Sequence, residues 1–324
     1  MMENEALAQR IPTEHDAATL VQRHLGHAVQ TVRRFPTGLA NYVYDVLTDD
    51  DQAVVVRMQR LGRGAHFAAA VYWYHRLVPH GVPLPRLYYH ATDPGPDAFP
   101  FMIIERLPGR DLGLAYASLS SEQKRALAVR MVTIQRSVGQ LPPGPGFGYA
   151  CSYDDRNLHP TWTAVLHAVL ERGRKRIGAV GLVDLGLVDR VAAKLPVYTR
   201  YFAAVEPRPF LDDTTTKNVL VQEGRMTGIV DVDNVCFGDP LLTPALTEIA
   251  LLSSGHDIDY VRYWTTELQL SAEQQAVLNL YAALFCVDFL SEIGQQFNQD
   301  TPAPANPEWV ARLVGLLETL LMQV

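Results

Sequence analysis

The pattern of apolar and polar residues predicts a strand-rich first third of the chain. A short helix opens it, with Thr13 or Asp16 near its start. Helical apolar spacing returns at residues 67–78, between the third and fourth predicted strands. The five strands are rich in β-branched and aromatic residues and are separated by turn residues: AVQTVRRF, NYVYDVLT, QAVVVRMQ, LPRLYYHA and FPFMIIERL. This pattern predicts a small antiparallel five-stranded unit with one main helix.

Beyond residue 108 the pattern predicts mostly helices. One helix begins at LSSEQ, where a serine can cap it, and others follow from Thr161 to the end of the chain. A proline- and glycine-rich stretch at 142–155 predicts a loop. NVLVQEGRMTGIVDVD is the only strand-like interruption, with its turn at Glu223–Gly224. The predicted fold class is α+β, with one unit at 1–108 and a larger helical unit at 109–324 that carries this hairpin.

Composition and charge narrow the class of protein. The chain has 324 residues, 48% of them hydrophobic, and a formal net charge of −7. This balance excludes the basic surface typical of proteins that bind nucleic acid or anionic membranes. The N-terminal MMENEALAQR lacks the layout of a signal peptide, and the longest apolar runs are too short to span a bilayer. The three cysteines show no zinc or disulfide spacing. We therefore expect a reduced, cytoplasmic protein with no nucleic-acid or membrane partner.

The candidate chemistry lies around the hairpin. Asp213 is followed by four residues and then by Asn218, which begins the first strand, and Asp231 ends the second. A hairpin brings Asn218 and Asp231 together, and their amide and carboxylate oxygens are the ligands that Mg²⁺ prefers. Asp213 remains free to accept a proton from an attacking hydroxyl. These groups are the components of phosphoryl transfer.

The same residues carry a resemblance to a known family. Asp-x-x-x-x-Asn, a hairpin and a following Asp resemble the catalytic loop and metal aspartate of the protein-kinase-like fold. The chain resembles the aminoglycoside phosphotransferases and related small-molecule kinases from about residue 31 to about residue 255, with some likeness to the hygromycin kinases. The segments that carry this resemblance are PTGLANYVYDV, AVVVRMQR, HGVPLPRLYYH, FPFMIIERLPG, PGFGYACSYDD and VDVDNVCFGDPLLTPALTEIALL.

The resemblance implies a two-lobed protein-kinase-like fold and a role for each matching residue. Asp213 would be the catalytic base, and Asn218 and Asp231 would hold Mg²⁺. Asp233 would assist a second metal ion or remain a solvated carboxylate. Arg57 would bind the α- and β-phosphates of ATP, unless it is an exposed strand residue. The remaining expected contacts are Gly38 and Asn41 in the loop over the phosphates, backbone groups of Glu105 to Leu107 at adenine, and Lys217 near the transferred phosphoryl group or in solvent.

Two departures from the family pattern leave alternatives open. Leu211 stands where the family has a histidine two residues before the base, and the helix at 66–78 offers no acid to pair with Arg57, the aligned position being about Ala70. The chain is then an active ATP- and Mg²⁺-dependent kinase, a degenerate relative that binds nucleotide or metabolite without turnover, or a scaffold. We favour the active enzyme, because Asp213, Asn218 and Asp231 are all present.

The acceptor of the phosphoryl group is not encoded by any short motif. The resemblance implies a small molecule with a hydroxyl group, such as an aminoglycoside or other antibiotic, a sugar or an amino-alcohol metabolite. Nothing between the metal aspartate and GDP is long enough to dock a peptide, which favours a small acceptor. The late acids could receive a cationic acceptor or be solvated helix faces: Glu248, Asp257, Asp259, Asp288 and Glu292. The oligomeric state stays open.

Overall fold

The structure of the chain, a computed structural model, describes residues 10–35, 41–60, 64–93, 95, 98–295 and 306–324. Among these residues, no helix is long and apolar enough to cross a membrane.

The first part of the chain forms the five-stranded antiparallel sheet that the sequence predicts. Its strand order is β1-β2-β3-β5-β4. Helix α1 packs on β1 to β3, and it begins at a capping box in which Thr13 and Asp16 exchange hydrogen bonds. Helix α2 covers the other face, where Phe67 and Ala70 contact Met102. The elements are α1 (Glu14–Leu25), β1 (Val29–Arg34), β2 (Tyr42–Thr48), β3 (Ala53–Met58), α2 (Ala65–Leu77), β4 (Leu87–Ala91) and β5 (Phe101–Glu105).

The second part is mostly helical, and helix α10 lies at its centre. The middle of this helix, residues 280–287, is buried on all sides because it packs against α5, α8 and α11. Its Tyr281 hydroxyl donates to Asp239 at 2.9 Å and accepts from the Trp162 indole at 2.6 Å. The helices are α3 (Leu112–Ala115), α4 (Ser121–Val138), α5 (Trp162–Val180), α6 (Gly186–Ala192), α7 (Thr199–Ala203), α8 (Leu242–Ser253), α9 (Asp259–Leu268), α10 (Ala272–Ser291) and α11 (Pro307–Leu321).

The predicted hairpin forms, but it is not the only strand structure in this part. Glu223 and Gly224 both adopt left-handed backbone angles, as a tight two-residue hairpin turn requires. The expectation that no other strands occur was wrong: sheets β10-β9-β6 and β7-β11-β8 contain four additional short strands. They are too short to give a period-two pattern, and tertiary pairing alone defines them. The strands are β6 (Arg110–Asp111), β7 (Gly148–Ala150), β8 (Pro209–Phe210), β9 (Val219–Gln222), β10 (Arg225–Ile229) and β11 (Val235–Phe237).

Close backbone contacts fix the hairpin beneath the five-stranded sheet. The Ile229 amide donates to the Pro83 carbonyl at 2.9 Å. A Cβ atom on Gly109 would lie 2.3 Å from the Val221 carbonyl oxygen, and Gly109 has a φ of +98°. Only glycine fits there without strain. The boundary between residues 108 and 109 as a division into two units stays a prediction.

A buried carboxyl group makes the helical part sensitive to pH. Glu248 on α8 is 9% exposed, and among the described residues no cation lies in ion-pair contact with it. Burial raises the pKa of Glu248 to about 7, and the positive charge of Arg262 offsets only part of this effect. The unfolded chain ionises this group near its ordinary pKa of 4.5, so stability is lost as the pH rises from about 4.5 to about 7.

We predict that Glu248→Gln stabilises the fold at neutral pH. The substitution removes the ionisation that the unfolded state gains, so the free energy of unfolding should rise by about 2–3 kcal/mol at pH 7.5. Thermal melts between pH 4.5 and 8 measure this effect, with the exposed Glu122→Gln as control. A Tm difference that does not grow with pH would contradict the assignment.

Candidate active site

The loop at 211–218 connects β8 to β9 and is held by its own hydrogen bonds. Its three threonines are all buried. The Thr215 hydroxyl donates to the Asp213 carboxylate at 3.2 Å. The Thr216 carbonyl accepts from the Gly113 amide at 2.8 Å. The threonines therefore give the loop its shape, and the Asp213 side chain is exposed.

Gln135 supports the loop at Leu211, the residue two places before Asp213. Gln135 on α4 donates from Nε2 to the Leu211 carbonyl at 2.7 Å and accepts from the Leu211 amide at 3.0 Å. The Thr243 hydroxyl donates to the same carbonyl at 2.9 Å. Leu211 is thus fixed through its backbone, and its side chain is free to be apolar and buried. Sequence reasoning missed Gln135 because it lies 76 residues away in the chain.

Two neighbouring acids of the loop have raised pKa values. Burial raises the pKa of Asp213 to about 6, the charge of Asp231 adds to this effect, and the hydrogen bond from Thr215 opposes it. Burial and the charge of Asp213 raise the pKa of Asp212 to about 7. The Asp213 side chain is accessible to solvent, although many protein atoms lie near its carboxyl group. A carboxylate with this pKa is suited to accept a proton near neutral pH.

The hairpin brings Asn218 and Asp231 together, as the sequence predicts. The Val230 amide donates to the Asn218 carbonyl at 2.9 Å, so the residue after Val230 lies beside the start of β9. Asn218 Nδ2 donates to the Asp213 carbonyl oxygen at 2.9 Å, which leaves the amide oxygen for another partner. Asp231 has a φ of +61°, an unusual value for a residue other than glycine. Such strain is typical of functional positions.

Arg57 pairs with the carboxylates that follow the hairpin. It lies on β3 and is only 7% exposed, so it is not an exposed strand arginine. Its guanidinium donates to Asp231 at 2.6 Å and to the two oxygens of Asp233 at 2.8 and 2.7 Å. The partner that α2 lacks is therefore supplied from the other side of the cleft. Burial raises the pKa of Asp231 and Asp233 adds to this, whereas Arg57 lowers it.

A chain of amides extends this network under the sheet. Asn41 Nδ2 donates to Asp233 at 3.3 Å, and Gln59 Nε2 donates to the Asn41 amide oxygen at 2.8 Å. Because Asp233 only accepts, the amide of Asn41 is oriented by it, and the amide of Gln59 is oriented in turn. Asn41 and Gln59 are each 4% exposed. The structure therefore places Asn41 beside Asp233, and no sequence pattern indicated Gln59.

The oxygen atoms around Arg57 fit a hard cation. Asp231 and Asp233 converge on one guanidinium, so their carboxylates already face one positive charge. The free amide oxygen of Asn218 completes a set of oxygen donors of the kind that Mg²⁺ prefers. The residues present therefore fit a magnesium ion.

The remaining predicted site residues are Lys217, Glu105, Leu107 and Gly38. Lys217 is exposed, and its charge lowers the pKa of Asp213. Glu105 ends β5 and accepts from the Arg86 amide at 3.0 Å. Leu107 is buried, and its carbonyl accepts from Arg106 at 3.1 Å. Gly38 lies outside the described residues.

The cleft also contains charged residues of the helical part that no motif indicated. Arg172 on α5 pairs with Asp288 on α10 at 2.9 Å. Tyr149 on β7 is 41% exposed, and the charges of Asp212, Arg172 and Asp288 all act on its phenol group. These side chains therefore lie near the loop at 211–218. Asp288 is one of the late acids that the sequence offered as a site for a cationic acceptor, but nothing in the sequence indicated that Arg172 would pair with it.

Comparison with known proteins agrees with this geometry. A family model described as the phosphotransferase enzyme family matches residues 31–242. The chain belongs to this family. The resemblance read from the sequence is thereby confirmed. A search of the curated proteins finds no match for this phosphotransferase family member.

Solved structures of similar shape include several aminoglycoside phosphotransferases. The apo form of a thermostable APH(4)-Ia mutant superposes with a TM-score of 0.68 at 17% identity, covering 94% of this chain and 98% of that one. The GDP complex of aminoglycoside 2'-phosphotransferase-IIIa gives 0.67 at 16%, with 96% and 99% covered. The streptomycin–ATP complex of APH(2")-IIa gives 0.61 at 15%, with 97% and 99% covered. At these identities the likeness establishes the fold, and the predicted two-lobed protein-kinase-like fold is confirmed.

We predict that Arg57→Met makes stability depend on a divalent cation. The variant leaves Asp231 and Asp233 facing each other without a counter-charge, so the free energy of unfolding should fall by about 2 kcal/mol, a value reduced by the solvent exposure of Asp231. Mg²⁺ without nucleotide should then raise the Tm of the variant more than that of the parent protein. The control is Arg60→Met, which removes only a hydrogen bond to Tyr42. Equal responses of the two variants to Mg²⁺ would refute the proposed metal site.

Proposed function

We propose that this chain transfers the γ-phosphoryl group of ATP to a hydroxyl group of a small molecule. The observation that carries this proposal is that Asp213 lies close to both Asn218 and Asp231, the residues at the two ends of the hairpin. Asn218 donates to its carbonyl at 2.9 Å, and the charge of Asp231 acts on its carboxylate. A proton acceptor and an oxygen ligand set thus lie side by side, which is the arrangement that phosphoryl transfer uses.

Complexes of the structural neighbours support a nucleotide in the cleft. APH(4)-Ia has been solved with AMP-PNP and hygromycin B, and with ADP and hygromycin B. Aminoglycoside 2'-phosphotransferase-IIIa has been solved with GDP, and APH(2")-IIa with streptomycin and ATP. For this chain they support nucleotide binding between the sheet and the hairpin. They do not bear on the acceptor, because the identities are 15–17%.

In the proposed mechanism each side chain has one task. Asp213 orients the acceptor hydroxyl and accepts its proton. Asn218, Asp231 and Asp233 would hold Mg²⁺, which when bound neutralises charge on the phosphates. Lys217 and Arg57, which pairs with Asp231 and Asp233, would share the negative charge of the phosphates with the metal ion. Because the transition state is loose, positioning and charge neutralisation supply the rate enhancement.

The nucleotide would lie against the sheet. Asn41, with Gly38 in the preceding loop, would border the phosphates, since Asn41 already contacts Asp233. The backbone between Glu105 and Leu107 would meet the adenine edge. In the described part of the chain, the Leu107 amide donates no hydrogen bond, whereas its carbonyl accepts one from Arg106. That amide is therefore a suitable donor for adenine.

A small acceptor suits the short segment after Asp231. Strand β11 begins at Val235 and pairs with β7 and β8. The chain thus returns to a sheet within a few residues, and this segment is too short to present a protein substrate. Phosphorylation of a small molecule is the reaction that this arrangement favours.

We predict that substitution of the two principal aspartates separates catalysis from nucleotide binding. Asp213→Asn should lower kcat by about 10²–10⁴ and leave the Kd for Mg·ATP nearly unchanged, because this residue meets only the acceptor. Asp231→Asn should weaken Mg·ATP binding, because it removes a proposed metal ligand. Calorimetry with and without EDTA and a mass-spectrometric screen of hydroxylated compounds provide the measurements.

The outcomes of these measurements discriminate among the alternatives. Equal loss of ATP affinity in both variants would mean that the two aspartates are assigned incorrectly. Mg·ATP binding without turnover of any compound would favour a degenerate kinase. Label that appears only on protein, or turnover that survives Asp213→Asn, would refute a small-molecule kinase.

We also predict a pH profile governed by Asp213. Its pKa of about 6 means that the carboxylate is protonated at lower pH and cannot accept a proton from the acceptor. The value of kcat/KM, which reports the pKa of the free protein, should therefore fall about tenfold per pH unit below pH 6 and level off above it. A profile that stays flat down to pH 5, measured where thermal melts show a folded protein, would exclude Asp213 as the base.

A further inference from the structure

Two rows of opposite charge face each other along one wall of the cleft. Arg172 and Arg176 lie one turn apart on α5, and Asp288 and Glu292 lie one turn apart at the end of α10. The helices approach closely at Gly173, where a Cβ atom would lie 3.0 Å from a methyl group of Val287 on α10. This close packing brings the two charged rows within reach of each other.

This wall borders the catalytic loop. The charge of Asp212, which adjoins Asp213, acts on the phenol of Tyr149, and so do the charges of Arg172 and Asp288. Asp212 and the first pair of the wall therefore both lie near Tyr149. We expect an acceptor whose hydroxyl group reaches Asp213 to lie close to this wall.

The outer end of the wall borders the same loop from the other side. The charges of Lys217, Arg176 and Arg172 all act on the carboxyl group of Glu292. Burial raises the pKa of Glu292 and the charge of Asp288 adds to this, while the three cations lower it. The wall thus runs from Tyr149 to Lys217 beside the catalytic loop.

Asp288 already has a basic partner, and Glu292 lies within range of positive charges. Arg172 Nη2 lies 2.9 Å from Asp288 Oδ1, and the Asp288 side chain is 17% exposed. Glu292 lies among three cations. A polyamine would have to displace Arg172 to reach Asp288, so this wall offers little attraction to a strongly cationic acceptor.

One cation of the wall has no contact partner. Arg176 is half-buried and, among the residues that the structure describes, forms no hydrogen bond or ion pair. A guanidinium presents a planar fork of donors that matches a carboxylate or phosphate. The wall is therefore ready to receive one acidic group, with Arg172 and Lys217 adding positive charge nearby.

We propose that the acceptor is a hydroxyl compound with an acidic group, a carboxylate or a phosphate, that binds to Arg176, and that polyamines are poor acceptors. This inference rests on the phosphotransferase function proposed above and specifies its substrate class. Arg176 selects the substrate, while Asp213 acts on its hydroxyl group. Glu292, beside Arg176, would repel acceptors with several negative charges, which favours a single acidic group.

The first test measures binding of three sugars that differ in charge. The full chain, loaded with Mg²⁺ and AMP-PNP, is titrated with glucuronate, glucose and glucosamine by calorimetry. Glucuronate should bind about tenfold or more tightly than glucosamine, as expected for a charge-assisted hydrogen bond. Arg176→Glu should abolish or reverse this order, and Arg176→Lys should keep the order with weaker binding.

The control is Lys175→Glu, an exposed residue of the same helix that makes the same change in net charge. It should leave the order of the three sugars unchanged. Equal affinities for glucuronate and glucosamine, including no detectable binding of either, would refute the inference. The same effect from Lys175→Glu and Arg176→Glu would refute it as well, because the preference would then reflect overall charge.

A turnover screen distinguishes failure of this inference from failure of the proposed function. Hydroxy acids, neutral sugars and polycationic compounds such as hygromycin B are compared by kcat/KM. A higher kcat/KM for polycations than for any acidic compound would overturn the inference and leave the phosphotransferase function standing. Failure of Mg·AMP-PNP to bind would refute the phosphotransferase function and this inference with it.

Discussion

The contact of Arg57 with Asp231 and Asp233 is the interaction on which the rest of the site depends. It joins β3 of the sheet to the segment after the hairpin, across the cleft. Removing a guanidinium from water is costly, and the cost is offset only when charged partners surround it. Here two carboxylates do so, and Asn41 contacts one of them. The geometry of the proposed nucleotide site is therefore set by a charge network that spans both parts of the chain.

The loop at 211–218 differs from the family pattern in one residue and keeps its support by other contacts. The backbone of Leu211 is fixed by Gln135 and Thr243, so the loop needs no histidine for support. Buried backbone groups require hydrogen-bond partners, and a glutamine can satisfy an amide and a carbonyl together. The missing acid on α2 is likewise replaced by residues from elsewhere in the fold. Its position, Ala70, is buried against Met102, and Arg57 obtains its counter-charge elsewhere.

The acids that the sequence offered as sites for a cationic acceptor have different environments. Asp257 pairs with Lys124, and Asp259 pairs with Arg262 at the start of α9. Glu248 is buried within the helical core. Only Asp288 and Glu292 lie at the cleft, where basic residues of α5 accompany them. The number of acids in the sequence therefore does not predict the charge that a substrate meets in the cleft.

The sequence by itself determined the five strands, the helix caps, the hairpin turn at Glu223–Gly224 and the approach of Asn218 to the end of the second hairpin strand. These features depend on periodicity, turn chemistry and fixed spacing, which are local in the chain. Only the tertiary structure decided the short strands such as β7, the partners of Arg57, the support from Gln135 and the charge balance beside α10. Each of these joins residues far apart in the chain, and the energy of a buried polar group depends on which partner the fold brings to it.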